Sequence, residues 1–303
     1  MSLASQLTNL GHYLGDHPQS RDEAVTLYGE AIAVLEELAA SFPETPEFSD
    51  ILAKSRNSFG GLLKKMGRHA EAEGQIRRSI FVSARLVASF PDSPGFAIAL
   101  AGTYGNLGHY IRERGRPQDA LEWFDKGIDL LAGIRKKSPD DAGSRKYLSN
   151  DYSRRAYALD DLGRHAEAAR DWRRALELSD PPMAARYRLG EAVSLACGDG
   201  QHERALKLAD DWAAEEGIAP NALYSMACVC AIASRDAAYR EPYAAKAVAL
   251  LRLAVDRGFD DDTAMRGDWD FRSLLQRPDF QAVIAAAGRR SNVAKPDTAK
   301  VER

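Results

Sequence analysis

Apolar residues recur along this chain every three or four positions, the period of one face of an α-helix. Ala24, Tyr28, Ala31, Leu35 and Leu38 make one such stripe, and Ala120, Phe124, Ile128, Leu131 and Ile134 make another. Each is predicted to be an amphipathic helix with one buried side. The stripes stop at Gly67, Gly115, Gly163 and Gly200 and resume within a few residues. Glycine closes helices because it enters the left-handed conformation without steric cost. The pattern therefore predicts an all-helical chain of helix-turn-helix hairpins.

The hairpins repeat. GRHAEA at Gly67, GRPQDA at Gly115 and GRHAEA at Gly163 lie 48 residues apart, and a shorter step leads to GQHERA at Gly200. Pro43, Pro91 and Pro139, in SFPETPEF, SFPDSPGF and KSPDDAGS, keep the same 48-residue interval. Two independent markers with one period predict a stack of hairpins, each hiding its apolar face against the next. Aligned on the turn, the units place alanine (Ala24, Ala72, Ala120, Ala168, Ala205) four residues ahead of Tyr28, Ile76, Phe124, Trp172 and the small Ala209. Gly60, Gly108 and Ala156 on the first helices are expected to face these positions and let the backbones approach closely.

The predicted organisation is one solenoid over 1–288, with repeats at about 3–43, 46–91, 94–139, 141–180, 182–216 and 218–258 and capping helices within 266–288. Trp269, Phe271, Leu274, Leu275, Phe280, Val283 and Ile284 supply the cap. Residues 289–303 have no apolar period and read as a disordered tail. The first helix begins almost at Met1 and is short beside its counterparts, which suggests a piece of a longer product.

Tyr104, Leu107, Gly108, Ile111, Ala120, Phe124 and Pro139 resemble the tetratricopeptide-repeat pattern, with Gly127 in place of its usual second alanine. Here the helices are about two turns longer than usual. The resemblance implies a right-handed superhelical solenoid that holds a protein or peptide in its concave groove without catalysing a reaction. A narrower resemblance covers nearly the whole chain: FPETPEF…LAKSRNSFGGLLKKMGRHAEAE, its echo FPDSPGF…LAGTYGNLGHYIRERGRPQDAL, and YSMACVCAIAS…FQAVI. These runs are similar to the region downstream of many bacterial Ser/Thr protein kinases. They imply, as an alternative, a detached or truncated regulatory or substrate-recruiting part of such a kinase.

Composition narrows the chemistry. Lysine and arginine total 41 against 44 aspartate and glutamate, with no long basic run, so nucleic acid is not an expected partner. No stretch approaches the length of a membrane span, and the N-terminus does not read as a signal peptide, so a cytoplasmic protein is expected. Cys197, Cys228 and Cys230 are an odd number of cysteines and do not suggest a disulfide framework. Cys228 and Cys230 point about 200° apart on a helix, which suits core packing better than one shared metal ion. A kinase needs a glycine-rich loop, a strand lysine and the H-R-D and D-F-G elements, and none is present. GGLLKK at Gly60 falls inside a helix and HER at His202 in a turn. His69, His165 and His202 recur at one turn position, which repetition explains, and Asp260, Asp261 and Asp262 read as a solvated loop. No catalytic residue, cofactor or metal is expected.

If the first helices line the groove, Lys54, Asn57, Lys64, His109, Arg112, Asn150 and Tyr157 face it. That surface is basic in its first half and ends at Asp160 and Asp161. It suits an acidic peptide or a C-terminal carboxylate, with asparagines holding the backbone. The helix dipole alone also favours Lys64, Lys65, Arg112 and Arg114 in last turns.

Overall fold

The computed structural model describes residues 3–198 and 200–294. The helices are α1 (Leu3–Gly15), α2 (Arg21–Ser41), α3 (Pro46–Lys65), α4 (His69–Ser89), α5 (Pro94–Glu113), α6 (Pro117–Lys137) and α7 (Ala142–Asp161). They continue as α8 (His165–Leu178), α9 (Pro181–Cys197), α10 (His202–Ala214), α11 (Pro220–Ala233), α12 (Arg240–Asp256), α13 (Asp262–Gly267) and α14 (Pro278–Ala294). No strand occurs among the described residues. The chain forms two compact units, Met1–Leu162 with Glu177–Ser179, and Gly163–Leu176 with Asp180–Arg303.

In the first unit α1 pairs with α2, α3 with α4 and α5 with α6, while α2 packs on α3, α4 on α5 and α6 on α7. First helices also touch, α1 with α3 and α5 with α7. Proline starts α3, α5 and α6 at a position where its missing N–H is not needed. At the turns Gly67 and Gly115 have φ of 75° and 72°. The Arg68 N–H reaches the Leu63 carbonyl at 2.9 Å and the Gly67 N–H reaches Lys64 at 3.0 Å, the paired closure of a glycine-ended helix. A Cβ on Gly60 would stand 2.7 Å from Ile76, and one on Gly108 would stand 2.8 Å from Phe124. Close approach of the paired helices therefore requires these glycines.

Between hairpins, Phe42 meets Phe48 at 6.0 Å and Phe90 meets Phe96 at 5.9 Å between ring centres. These aromatic clasps hold the two proline loops. The third loop has Ser138 and Ser144 instead, and there the Asp141 carboxylate accepts the Ser144 N–H at 2.5 Å, an N-cap in place of a clasp. Tyr110 adds a lock between neighbours, its hydroxyl donating to the His69 carbonyl at 2.9 Å.

The second unit buries Trp172 beneath Tyr187, with Gly190 against the indole. Its core continues through Leu223, Met226, Tyr243 and Leu251 to Phe271, Leu274, Phe280, Val283 and Ile284. Of the expected cap residues, Trp269 and Leu275 are exposed. The segment carrying Trp269 is a 3-10 turn, Trp269–Ser273, whose tighter winding aims Phe271 inward and Trp269 outward. Helix α14 runs to Ala294, so residues 289–294 continue the helix where a tail was expected. No proline intervenes before Pro296, and helix propensity suffices to extend a helix already anchored by Phe280 and Ile284. Residues 295–303 lie outside the described residues.

Candidate functional site

The first helices of the first unit carry Lys54, Asn57 and Lys64 (α3), His109 and Arg112 (α5), and Asn150 and Tyr157 (α7). Asn57, Lys64 and His109 line one groove of about 300 Å³, shared by α1, α3 and α5. Gly11 and Gly61 are among its lining residues; Gly11 is turned toward Tyr28 on α2, whereas a Cβ at Gly61 would meet nothing. A second groove of about 150 Å³ holds Lys54, Asn57 and Tyr147. Asn150 lines neither of the two.

Asn106, absent from the residues singled out in the sequence, lines both grooves. Its amide donates to the Asn57 Oδ1 at 3.5 Å. The two side chains stand between the grooves with their remaining donors and acceptors available to a ligand backbone.

The cations are not bare. Lys54 is held by Asp50 at 2.6 Å, Lys65 by Asp16 at 2.7 Å, and Lys64 by Glu113. Arg112 forks onto Asp161 at 2.6 and 3.1 Å and lies 4.9 Å over the Tyr157 ring. The pairs between first helices, Lys65–Asp16, Lys64–Glu113, Arg112–Asp161 and Asn57–Asn106, all span 49 residues. The alignment by turns has a period of 48. Facing residues on successive first helices are thus one position out of step with equivalent residues, and reading the chain at 49 pairs Lys64, Lys65 and Arg112 with their acids, while Lys54 meets Asp50 within its own helix.

His109 sits 3.3 Å from Glu113. Burial holds its imidazole below the usual histidine range; Glu113 opposes this, and Arg154, Lys64 and Arg112 add to it. Burial acts to raise Glu113, but the Lys64 hydrogen bond, His109 and Arg112 together hold it low. The rim is therefore a compensated lattice of charge in which ammonium groups retain spare donors.

Asp151 on α7 is fully buried. Neither carboxylate oxygen has a hydrogen-bond partner, and the nearest cation, Arg154, is 3.8 Å away. The carboxylate fills the room left by Gly105 and Gly127, where a Cβ would stand 2.2 and 2.5 Å from its oxygens. Burial pushes its pKa up to about 7 against the pull of Arg154.

In the second unit Cys230 is buried and its thiol is pushed up to about 12 by burial. Cys228 is half-buried, with Sγ 3.8 Å from the Asp268 carboxylate; burial and that carboxylate keep its thiol protonated. Cys228, Asp268 and Asp270 converge within 4.8 Å, yet local structure accounts for the two carboxylates. Asp268 accepts the Tyr224 hydroxyl and the Asp270 N–H, both at 2.9 Å, and Asp270 faces Arg235 at 4.0 Å. Of the repeated histidines, His202 is buried, stacks on Tyr239 at 3.8 Å and meets the Tyr243 hydroxyl at 3.1 Å. Packing explains it. No helix among the described residues is long and apolar enough to cross a membrane.

No curated protein matches the sequence. Among solved structures, BtubC (BKLC) from P. vanneervenii is 17% identical, with 92% of this chain and 95% of that chain covered, at a TM-score of 0.47. YrrB, described as a TPR protein with an unusual peptide-binding site, is 17% identical over 75% of this chain and 95% of its own, at 0.40. The C-terminal part of a TPR repeat-containing protein from Cytophaga hutchinsonii is 16% identical over 86% and 98%, at 0.41. At such values these likenesses say nothing about a binding surface. The tetratricopeptide-repeat family model matches residues 100–131, which run from α5 through its turn into α6. Residues 100–131 are thus a tetratricopeptide repeat, and α3–α4 is built on the same turn, alanine and glycine contacts.

Proposed function

We propose that this protein is a non-catalytic interaction scaffold whose first unit binds an extended peptide across α1, α3 and α5. The observation that carries the reading is the 300 Å³ groove with Asn57 and Asn106 side by side at its edge and the open Gly61 in its lining. Asparagine presents both a donor and an acceptor, so two of them hold a peptide backbone in either of its polarities. Gly61 leaves room for that backbone to lie close. Lys64, with His109 beside it, shares its spare donors between Glu113 and an acidic side chain or C-terminal carboxylate of the ligand. Lys54, Asn150 and the Arg112–Tyr157 stack extend the surface toward α7.

Peptides selected from a phage-displayed random library on the full chain provide the ligand. Their affinities are measured by calorimetry for the wild type, Asn57→Ala, Asn106→Ala and Lys64→Ala. Each asparagine change is expected to weaken binding by about 10-fold, the loss of one or two hydrogen bonds. Unchanged affinities in all three variants overturn the reading.

The kinase-like runs support a second reading, a regulatory or substrate-recruiting partner of a bacterial Ser/Thr kinase. A kinase from the same cell that phosphorylates its substrate equally well with and without this chain removes it.

A further inference from the structure

Helix α1 occupies the place in its hairpin that α3 and α5 occupy in theirs: Gly11 faces Tyr28 and the Ala24 carbonyl as Gly60 faces Ile76 and the Ala72 carbonyl. On that alignment Leu3, Leu10 and Tyr13 correspond to Leu52, Phe59 and Leu62 on α3, and to Leu100, Leu107 and Tyr110 on α5. The six later residues are at most 8% exposed, whereas Leu3, Leu10 and Tyr13 are 64, 47 and 63% exposed. The preceding hairpin covers the later ones. Phe59 stacks on Tyr28 at 5.4 Å, Leu62 lies against Gly15, and Tyr110 locks onto the carbonyl that opens α4. Helix α1 thus carries an apolar face of the kind that elsewhere in this unit is a helix-packing surface.

With the half-buried Leu7 and Leu14, the face is a leucine stripe at 3, 7, 10 and 14, the alternating four-three spacing of a helix-pairing seam. Leu3–Gly15 contains no aspartate, glutamate, lysine or arginine, and His12 is its one basic residue. A second α1 laid antiparallel about an axis midway between Thr8 and Asn9 sets Leu3 opposite Leu14 and Leu7 opposite Leu10. The stripe is its own complement, and no like charges meet, as a two-fold contact requires.

We propose that this protein forms a two-fold homodimer through the leucine stripe of α1, one copy packing antiparallel on the other. The contact is small for a stable interface, so dissociation in the micromolar range is expected.

Sedimentation velocity of the full chain from about 1 µM to about 100 µM tests this. The wild type is expected to approach twice 33.2 kDa as concentration rises. Leu10→Glu places like charges in the seam and is expected to stay at the single-chain mass with an unchanged circular dichroism spectrum and Tm, since Leu10 is half exposed. Phe81→Glu, at an exposed site on α4, is expected to dimerise as the wild type does. A wild type that stays monomeric throughout overturns the proposal. So does a dimer that survives Leu10→Glu or is lost in Phe81→Glu.

Discussion

Asp151 gives the structure a pH dependence of unusual sign. Most of the perturbed carboxylates in the first unit, such as Asp16, Glu71, Glu122 and Asp141, are held low by hydrogen bonds. They contribute stability above their unfolded values and lose it as pH falls. Asp151 is raised from 3.8 to about 7 by burial, so the folded state keeps a proton that the unfolded chain has already released. Between those two values the folded state binds one proton more, and stability falls as pH rises. At about 1.4 kcal/mol per pH unit, over the roughly two units from pH 5 to the folded pKa, the loss amounts to about 3 kcal/mol. Above that pKa both states are ionised and the loss stops growing. Asp151→Asn keeps the shape and removes the titration. Urea unfolding of both proteins, followed by circular dichroism at about pH 5 and pH 8, isolates the effect, because contributions from the other carboxylates cancel in the difference. The variant is expected to gain about 3 kcal/mol on the wild type between the two conditions. A difference that stays constant to within about 0.5 kcal/mol refutes the assignment of a buried, unpaired carboxylate.

Two further outcomes follow from backbone and hydrogen-bond geometry. Gly115→Ala forces a side chain onto a φ of 72° and is expected to cost about 1 kcal/mol, whereas Gly74→Ala, inside α4 with open space around it, is expected to stabilise by about 0.5–1 kcal/mol. Denaturant midpoints that move the same way for both contradict this. Tyr110→Phe removes the bond to the His69 carbonyl and is expected to cost about 1 kcal/mol, with hydrogen exchange accelerated in the first turn of α4. Exchange unchanged there would show that the lock contributes nothing.

What the sequence determined by itself is local. Glycine at Gly67 and Gly115, proline at the starts of α3 and α5, and a 3.6-residue apolar stripe each act on the chain within one or two turns. Repetition at 48 residues then makes the hairpins legible as one series, down to the Gly60–Ile76 and Gly108–Phe124 contacts. Candidate groove residues were legible as a face: Asn57, Lys64 and His109 do share one groove. Their electrostatic state was not, because Lys64 meets Glu113 and Arg112 meets Asp161 at a spacing of 49. That spacing follows from how adjacent hairpins rotate against one another, which no periodicity within a hairpin encodes. Asp151 likewise lies on a helix whose pattern does not distinguish it from a surface acid. Only the joint approach of α5, α6 and α7 through Gly105 and Gly127 closes water away from it. Trp269 shows the converse: an apolar residue expected in the cap, it is left outside. Burial is decided by which neighbour arrives to cover a face, and that is a property of the folded arrangement.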